Sequence, residues 1–283
     1  MEVKTLPDNE IKALIRLVGD EEDANAAQLR EHLALIVRHE PERIEAIALG
    51  SFAEKLPPAA TAILENSRWH ALEKMFRGLL RAGGEADLEE GLFLISKFAH
   101  PKITVSDIAA PLDGMAGEIK TRLDTQADPE RVVEALCETV FARHGFGGCD
   151  EDICNPENIY LYNLFQSRRG MPVTLGSLCI LLGKRLDLPL RGMGIPGHFI
   201  LQLKTWNGEL FLDPYRKGRR LTPRECQMLV LSRGVHWDPD YLKPVDNRHI
   251  LCRTLGNLIY SYNRLKDERR AGQLKRYMQI LQD

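Results

Sequence analysis

A chain of 283 residues with 38 Lys and Arg against 40 Asp and Glu carries a formal net charge of −2, and a content that is 44% hydrophobic and 28% charged is ordinary for a soluble globular protein. Near-neutral charge excludes the profile of a dedicated nucleic-acid binder. Glu2, Lys4, Asp8, Glu10, Lys12 and Arg16 exclude a secretory apolar region, and no apolar run is long enough to span a bilayer, so the expected location is the cytoplasm.

Six cysteines, at 137, 149, 154, 179, 226 and 252, are too sparse and irregular for a disulfide framework. Cys149 and Cys154 bracket Asp150, Glu151 and Asp152 but lack the second pair or nearby His of a zinc site, so the segment reads as a loop. No metal or cofactor is expected. Charge is unevenly spread: residues 168–224 hold eleven Lys or Arg against three acids, an excess of eight that leaves the remainder at −10. Such a patch is a solvated face, a counterweight to acidic helices, or a landing site for an anion.

From residue 9 to about 82 the apolar residues recur at steps of three and four, which predicts a layer of amphipathic helices. The stripes are Ile11, Leu14, Ile15 and Val18; Leu29, Leu33, Ile36 and Val37; Ile44, Ile47 and Ala48; and Leu72, Met75, Phe76 and Leu79. Asp20 to Asn25 and Leu56-Pro57-Pro58 are the stops, because Pro cannot continue a helix and Asp or Asn caps the next. The first two helices resemble a HEAT-type hairpin. Gly83-Gly84 is a candidate hinge. Helices are predicted over Leu88–Phe98, closed by His100-Pro101, and over Asp107–Leu123 and Pro129–Arg143, after which GFGG at 145–148 frees the backbone.

Asn155 to Gln166 reads as an Asn-Pro turn and a short helix carrying Tyr160, Leu161, Leu164 and Phe165. Next, Pro172 suits a helix entry and Thr174 an N-cap, with Leu175, Leu178, Leu181, Leu182 and Leu186 as the buried face. Gly176 and Gly183 share a face of that helix; each costs roughly 1 kcal/mol relative to Ala, so close approach of another backbone or of a substrate is their reason.

His198, Ile200 and Gln202 alternate with Phe199, Leu201 and Leu203, a strand with one face committed to a core. Glu209, Phe211 and Asp213 alternate with Leu210 and Leu212 in the next, and Asn207-Gly208 is a hairpin signal. If that dipeptide were the whole loop, His198 and Asp213 would lie roughly 13 Å apart on one face. A four-residue loop, Thr205 to Gly208, sets 198 opposite 215 and brings the two within reach, and this register is predicted.

Residues 222–245, with Leu229, Val230 and Leu231 and then HWDPDYLKP, read as a connector. Leu251, Leu255, Leu258, Ile259, Tyr262 and Leu265 lie on one final helix, and Ala271, Leu274, Met278 and Leu281 on another. In Leu255, Asn257, Leu258, Tyr262 and Ala271 this hairpin resembles one tetratricopeptide unit, which cannot bury itself and must pack on the rest of the chain. The expected architecture is α+β and mostly α. A helical layer occupies 1–90, an α+β core with a small antiparallel sheet 91–245, and a helical hairpin 246–283.

FLISKFAHP at 93–101, GFGG at 145–148, NPENIYLYNLFQSRRGMPVTL at 155–175, GIPGHFILQL at 194–203 and LFLDPYRKGRRLT at 210–222 together resemble the bacterial SirB-type family, over roughly residues 90–283. That family is transglutaminase-like with a tetratricopeptide portion. The resemblance implies a papain-like or transglutaminase-like site in which Thr174 falls at the nucleophile, His198 at the base and Asp213 at the orienting acid.

A cysteine at such a helix start would have its thiolate stabilised by the helix dipole. A Thr hydroxyl is far harder to ionise and needs the imidazole as a full general base. Cys179 is a substitute nucleophile, but it lies five residues further into the helix, where a small buried residue is the plainer reading. Asn158, Arg168 and Arg169 are candidates for organising a loop over the cleft, and Arg216 and Lys217 flank it, favouring an anionic partner. Two function classes follow. One is a catalytically degenerate scaffold that binds a protein or peptide; the other is a hydrolase or acyl-transfer enzyme using Thr174, His198 and Asp213. The missing thiol favours the first.

Overall fold

The computed structural model describes residues 6–19, 25–52, 56–80, 85–124, 127–149 and 155–283. Residues 20–24 of the first expected stop, the Gly83-Gly84 hinge, and the acidic run with Cys154 lie outside the described residues. The chain divides into two compact units, Met1–Met75 and Phe76–Asp283.

The first unit is built of α1 (Asp8–Leu17), α2 (Ala26–His39), α3 (Pro41–Ser51) and α4 (Pro58–Leu79) as far as Met75. Pro41 and Pro58 open their helices, where a missing N–H costs nothing. The predicted stripes meet in one core: Ile11, Leu14, Ile15 and Val18 pack with Leu33, Ile36, Val37, Ile44 and Ala48. Arg43 closes the open edge through Asp8 at 2.5 Å and Glu40 at 2.6 Å.

The second unit carries α5 (Leu88–Ala99), α6 (Val105–Lys120), α7 (Pro129–Cys137) with a π-helical extension over Glu138–Arg143, β1 (Gly147–Gly148), α8 (Leu161–Ser167), β2 (Arg169–Gly170) and α9 (Pro172–Arg185). It continues with β3 (Arg191–Met193), β4 (Ile200–Thr205), β5 (Gly208–Asp213), β6 (Arg219–Leu221), α10 (Pro223–Leu231), α11 (Asn247–Arg264) and α12 (Glu268–Gln282). The α+β, mostly helical class is as expected. β3, β4, β5 and β6 form one antiparallel sheet in that order, while β1 and β2 pair in parallel.

The β4–β5 register is the predicted one. The loop is not the expected four residues: Leu201 pairs with Leu212 and Lys204 with Glu209, and the ladder continues to Thr205 with Gly208, so a two-residue turn at Trp206-Asn207 gives the same register. The expectation of a strand starting at His198 with one buried face is corrected: β4 starts at Ile200, and His198 and Gln202 are buried alongside Phe199 and Leu201. Two layers cover the sheet. Ile200, Met193, Phe211 and Leu221 pack with Cys226 and Val230 of α10, whereas Phe199 and Leu201 meet α9. The supposed connector therefore contains α10, opened by a capping box between Thr222 and Glu225 that satisfies two orphan helix donors.

Gly176 and Gly183 serve the close approach expected of them. A Cβ on Gly176 would stand 2.4 Å from the Phe199 ring, and one on Gly183 2.8 Å from the Leu188 carbonyl oxygen. The terminal hairpin also packs inward. Leu251 sits against Gly91 of α5, Tyr262 and Tyr160 share a hydroxyl hydrogen bond of 2.9 Å, and Tyr277 stacks on Phe76 at 4.6 Å. Among the described residues no helix is long and apolar enough to cross a membrane.

Candidate active site

Pro172 fixes the first residue of α9, so Met171 is its N-cap and Thr174 falls at the third helical position, not at the cap as expected. Thr174 is fully buried, and its hydroxyl donates to the Ile159 carbonyl at 3.0 Å. The Met171 N–H donates to the Asn158 carbonyl at 3.0 Å. These two bonds tether the helix start to the segment before α8. Asn158 contributes there through its backbone.

His198 follows a turn in which Gly197 has φ +69°, a conformation that suits glycine. Its Nε2 is 2.9 Å from Asp213 Oδ1, and both side chains are buried. This bond occupies one ring nitrogen and leaves Nδ1 for another partner. The same Asp213 oxygen accepts the N–H of Tyr215 at 3.0 Å and of Arg216 at 3.2 Å. Oδ2 is buried without a hydrogen bond, with Arg216 Nε 4.0 Å away. The structure thus brings His198 and Asp213 together. No hydrogen bond joins Thr174 to His198.

Two partners of the pair went unread in the sequence. Tyr215 presents its ring edge-on to His198 at 5.9 Å and donates its hydroxyl to the Cys149 carbonyl at 2.7 Å. A Cβ on Gly148 would stand 2.5 Å from the Tyr215 ring, so glycine there permits the contact. Arg253, on α11, donates from Nη2 to the carbonyls of Ile195 at 2.8 Å and His198 at 2.7 Å, clamping the loop that carries the imidazole. Burial pushes the Arg253 guanidinium below its ordinary value. Predicted hairpin register could have suggested Tyr215, opposite 198; nothing local marks Arg253. Ser177, one turn beyond Thr174, is also buried, with no hydrogen-bond partner for its hydroxyl.

Cys179 is buried and its thiol is pushed well above the ordinary range by desolvation, the opposite of an activated nucleophile. Iodoacetamide is therefore expected to leave Cys179 unmodified in the native chain while labelling the partly exposed Cys252, and to modify both after denaturation; peptide mass mapping reads the difference.

Of the basic residues, Arg168 lies with its guanidinium carbon 4.6 Å from the centre of the Phe146 ring, and Arg169 and Lys217 reach toward Gly147. Arg219 pairs with Glu225 at 2.5 Å and Arg220 with Glu134 at 2.9 Å, so those two are neutralised within the molecule.

α9 lies against an antiparallel sheet, with the His198 imidazole just before β4 and the Asp213 carboxylate at the end of β5. The sequence model of the Transglutaminase-like superfamily matches residues 106–256, more than half of the chain, and the chain belongs to that superfamily. It is 30% identical over 177 residues to a UPF0162 protein of Vibrio cholerae, covering 61% of this chain and 65% of that one. It is 34% identical over 130 residues to a UPF0162 protein of Xylella fastidiosa, covering 44% and 46%. Human F-box only protein 21 is 24% identical over 201 residues, 60% of this chain and 31% of its own length. The matched region thus spans less than two thirds of each of these relatives. No solved structure matches.

Proposed function

We propose that this chain is a catalytically degenerate transglutaminase-like protein, of the SirB type, that acts in the cytoplasm as a binding or regulatory scaffold for a protein or peptide. One observation carries the reading: the hydroxyl at the nucleophile position is buried and donated to the Ile159 carbonyl. A carbonyl oxygen cannot accept that proton as a general base, so the arrangement holds Thr174 as a structural tether. The scaffold divides into a helical layer over 1–90, a core over 91–245 and a tetratricopeptide-like hairpin over 246–283. Asn158, Arg168, Arg169, Arg216 and Lys217 are its candidate contacts.

The alternative, acyl transfer or hydrolysis by Thr174, His198 and Asp213, draws support from the His198–Asp213 bond of 2.9 Å. A panel of amide, ester and peptide substrates separates the two. The scaffold reading expects no turnover above background in the wild-type chain, and identical behaviour from Thr174→Ala, His198→Ala and Cys179→Ala. Turnover that vanishes in Thr174→Ala and His198→Ala would establish the enzyme.

A further inference from the structure

We propose that Arg169 and Lys217, converging at Gly147 on the rim of the His198–Asp213 site, form an anion subsite for a carboxylate of an acidic peptide. This deepens the scaffold reading and rests on it. Two separate segments supply the cations. A Cβ on Gly147 would stand 2.9 Å from Arg169 Nη1 and 4.0 Å from Lys217 Cε, so a guanidinium and the end of a lysine side chain approach one point beside a strand that has no side chains of its own. Tyr215, whose ring lies over the neighbouring Gly148 and edge-on to His198, connects this rim to the site.

Like charges that approach one another are usually separated by a carboxylate, because each otherwise raises the energy of the other. Among the described residues Arg169 and Lys217 have no acidic partner, whereas Arg219 and Arg220 nearby are both paired with glutamates. The buried Asp213 carboxylate already has Arg216 beside it, at 4.0 Å, and so does not account for the other two. Both loops are also held in an unfavourable backbone conformation. Among the described residues four that are not glycine have positive φ, and two of them are Arg168 at +60° and Lys217 at +56°. Glycine would adopt these angles freely, so Lys217 keeps its side chain against the preference of its own backbone, and Arg168, at the other such turn, directly precedes Arg169.

A carboxylate fits best because its two oxygens can accept from a guanidinium and an ammonium together. A nucleic-acid backbone would call for an extended run of cations, and here two converge on one point while the whole chain is at −2.

The test is fluorescence anisotropy with a fluorescein-labelled peptide of alternating Glu and Gly, its Gln counterpart, and a labelled single-stranded oligonucleotide. The Glu peptide is expected to bind, more weakly as salt is raised, and the Gln peptide and the Arg169→Ala/Lys217→Ala double variant to weaken binding by about tenfold. Arg219→Ala/Arg220→Ala, which removes paired cations, is expected to stay within about twofold of wild type. Lys217→Gly is expected to unfold at the same or a higher temperature while binding more weakly, a combination that a merely structural lysine would not produce. Absence of Glu-peptide binding, equal binding of the Gln peptide or by the double variant, or tighter binding of the oligonucleotide, overturns the subsite. Any of these leaves the non-catalytic reading standing, whereas turnover abolished by Thr174→Ala overturns that reading and not the subsite.

Discussion

Replacing Phe199 by Ala is expected to destabilise the second unit by about 3–5 kcal/mol, at the upper end for a large-to-small core change. Phe199 is fully buried, and its ring fills a slot whose two walls are backbone. On one side a Cβ added to Gly176 of α9 would stand 2.4 Å from Cδ1; on the other, a Cβ added to Gly192 of β3 would stand 2.3 Å from Cζ. Side chains can relax into a cavity, but a helix and a strand held by their own hydrogen bonds cannot, so the space left by the ring stays open. Urea unfolding followed by circular dichroism should show a lower midpoint at unchanged slope. The reverse change, Gly176→Ala, crowds the same slot and is expected to cost about 1–3 kcal/mol. A loss below about 1 kcal/mol for Phe199→Ala would mean that the slot closes, contrary to a rigid backbone wall. Because Phe199 follows His198 directly, the same ring also fixes where the imidazole begins.

That slot explains why part of this molecule could be read from its sequence. Gly176 sits in a helix that local propensity would fill with Ala, and the cost of keeping it there signalled a close neighbour before the neighbour was known. The His198–Asp213 meeting was legible too, because side chains alternate along a strand and only one register puts both at bonding distance. Other features had weaker local signals or none. β3 and β6 are three residues each, Arg-Gly-Met and Arg-Arg-Leu, too short for alternation to register. The Thr222 and Glu225 capping box was present in the sequence, yet the proline-rich, aromatic stretch after it drew the whole segment into a connector. Gln202 and His198 read as an open face because nothing local shows that α10 folds over it. Arg253 acts from 55 residues beyond His198, and only the tertiary fold joins them. Thr174 misled for a local reason: its hydroxyl could serve the helix backbone or the segment before it, and Pro172 decided where the helix begins.

Asp213→Ala is expected to be as costly as Phe199→Ala, about 3–5 kcal/mol, for an electrostatic reason. One oxygen of this fully buried carboxylate receives the His198 ring and the N–H groups of Tyr215 and Arg216. Alanine leaves three polar groups without their acceptor, and each deprived donor that cannot reach water costs about 1–3 kcal/mol. Asparagine keeps an acceptor in place but without charge; hydrogen bonds to a charged partner are about twice as strong, so Asp213→Asn should retain roughly half of the lost stability. His198→Ala removes only one of the three donors and should cost less than Asp213→Ala. Its sign bears on what the pair is for. Groups held together for catalysis are commonly strained or poorly satisfied, and replacing them often leaves stability unchanged or raises it. Groups held together for structure lose stability when either is removed. On the scaffold reading proposed above, the tether at Thr174 and the pair that fastens the 213–218 turn to the 195–198 loop belong to the second kind, and denaturant titration should show His198→Ala to be destabilising. A His198→Ala chain more stable than wild type would return the imidazole to the role of a reacting group and count against the scaffold.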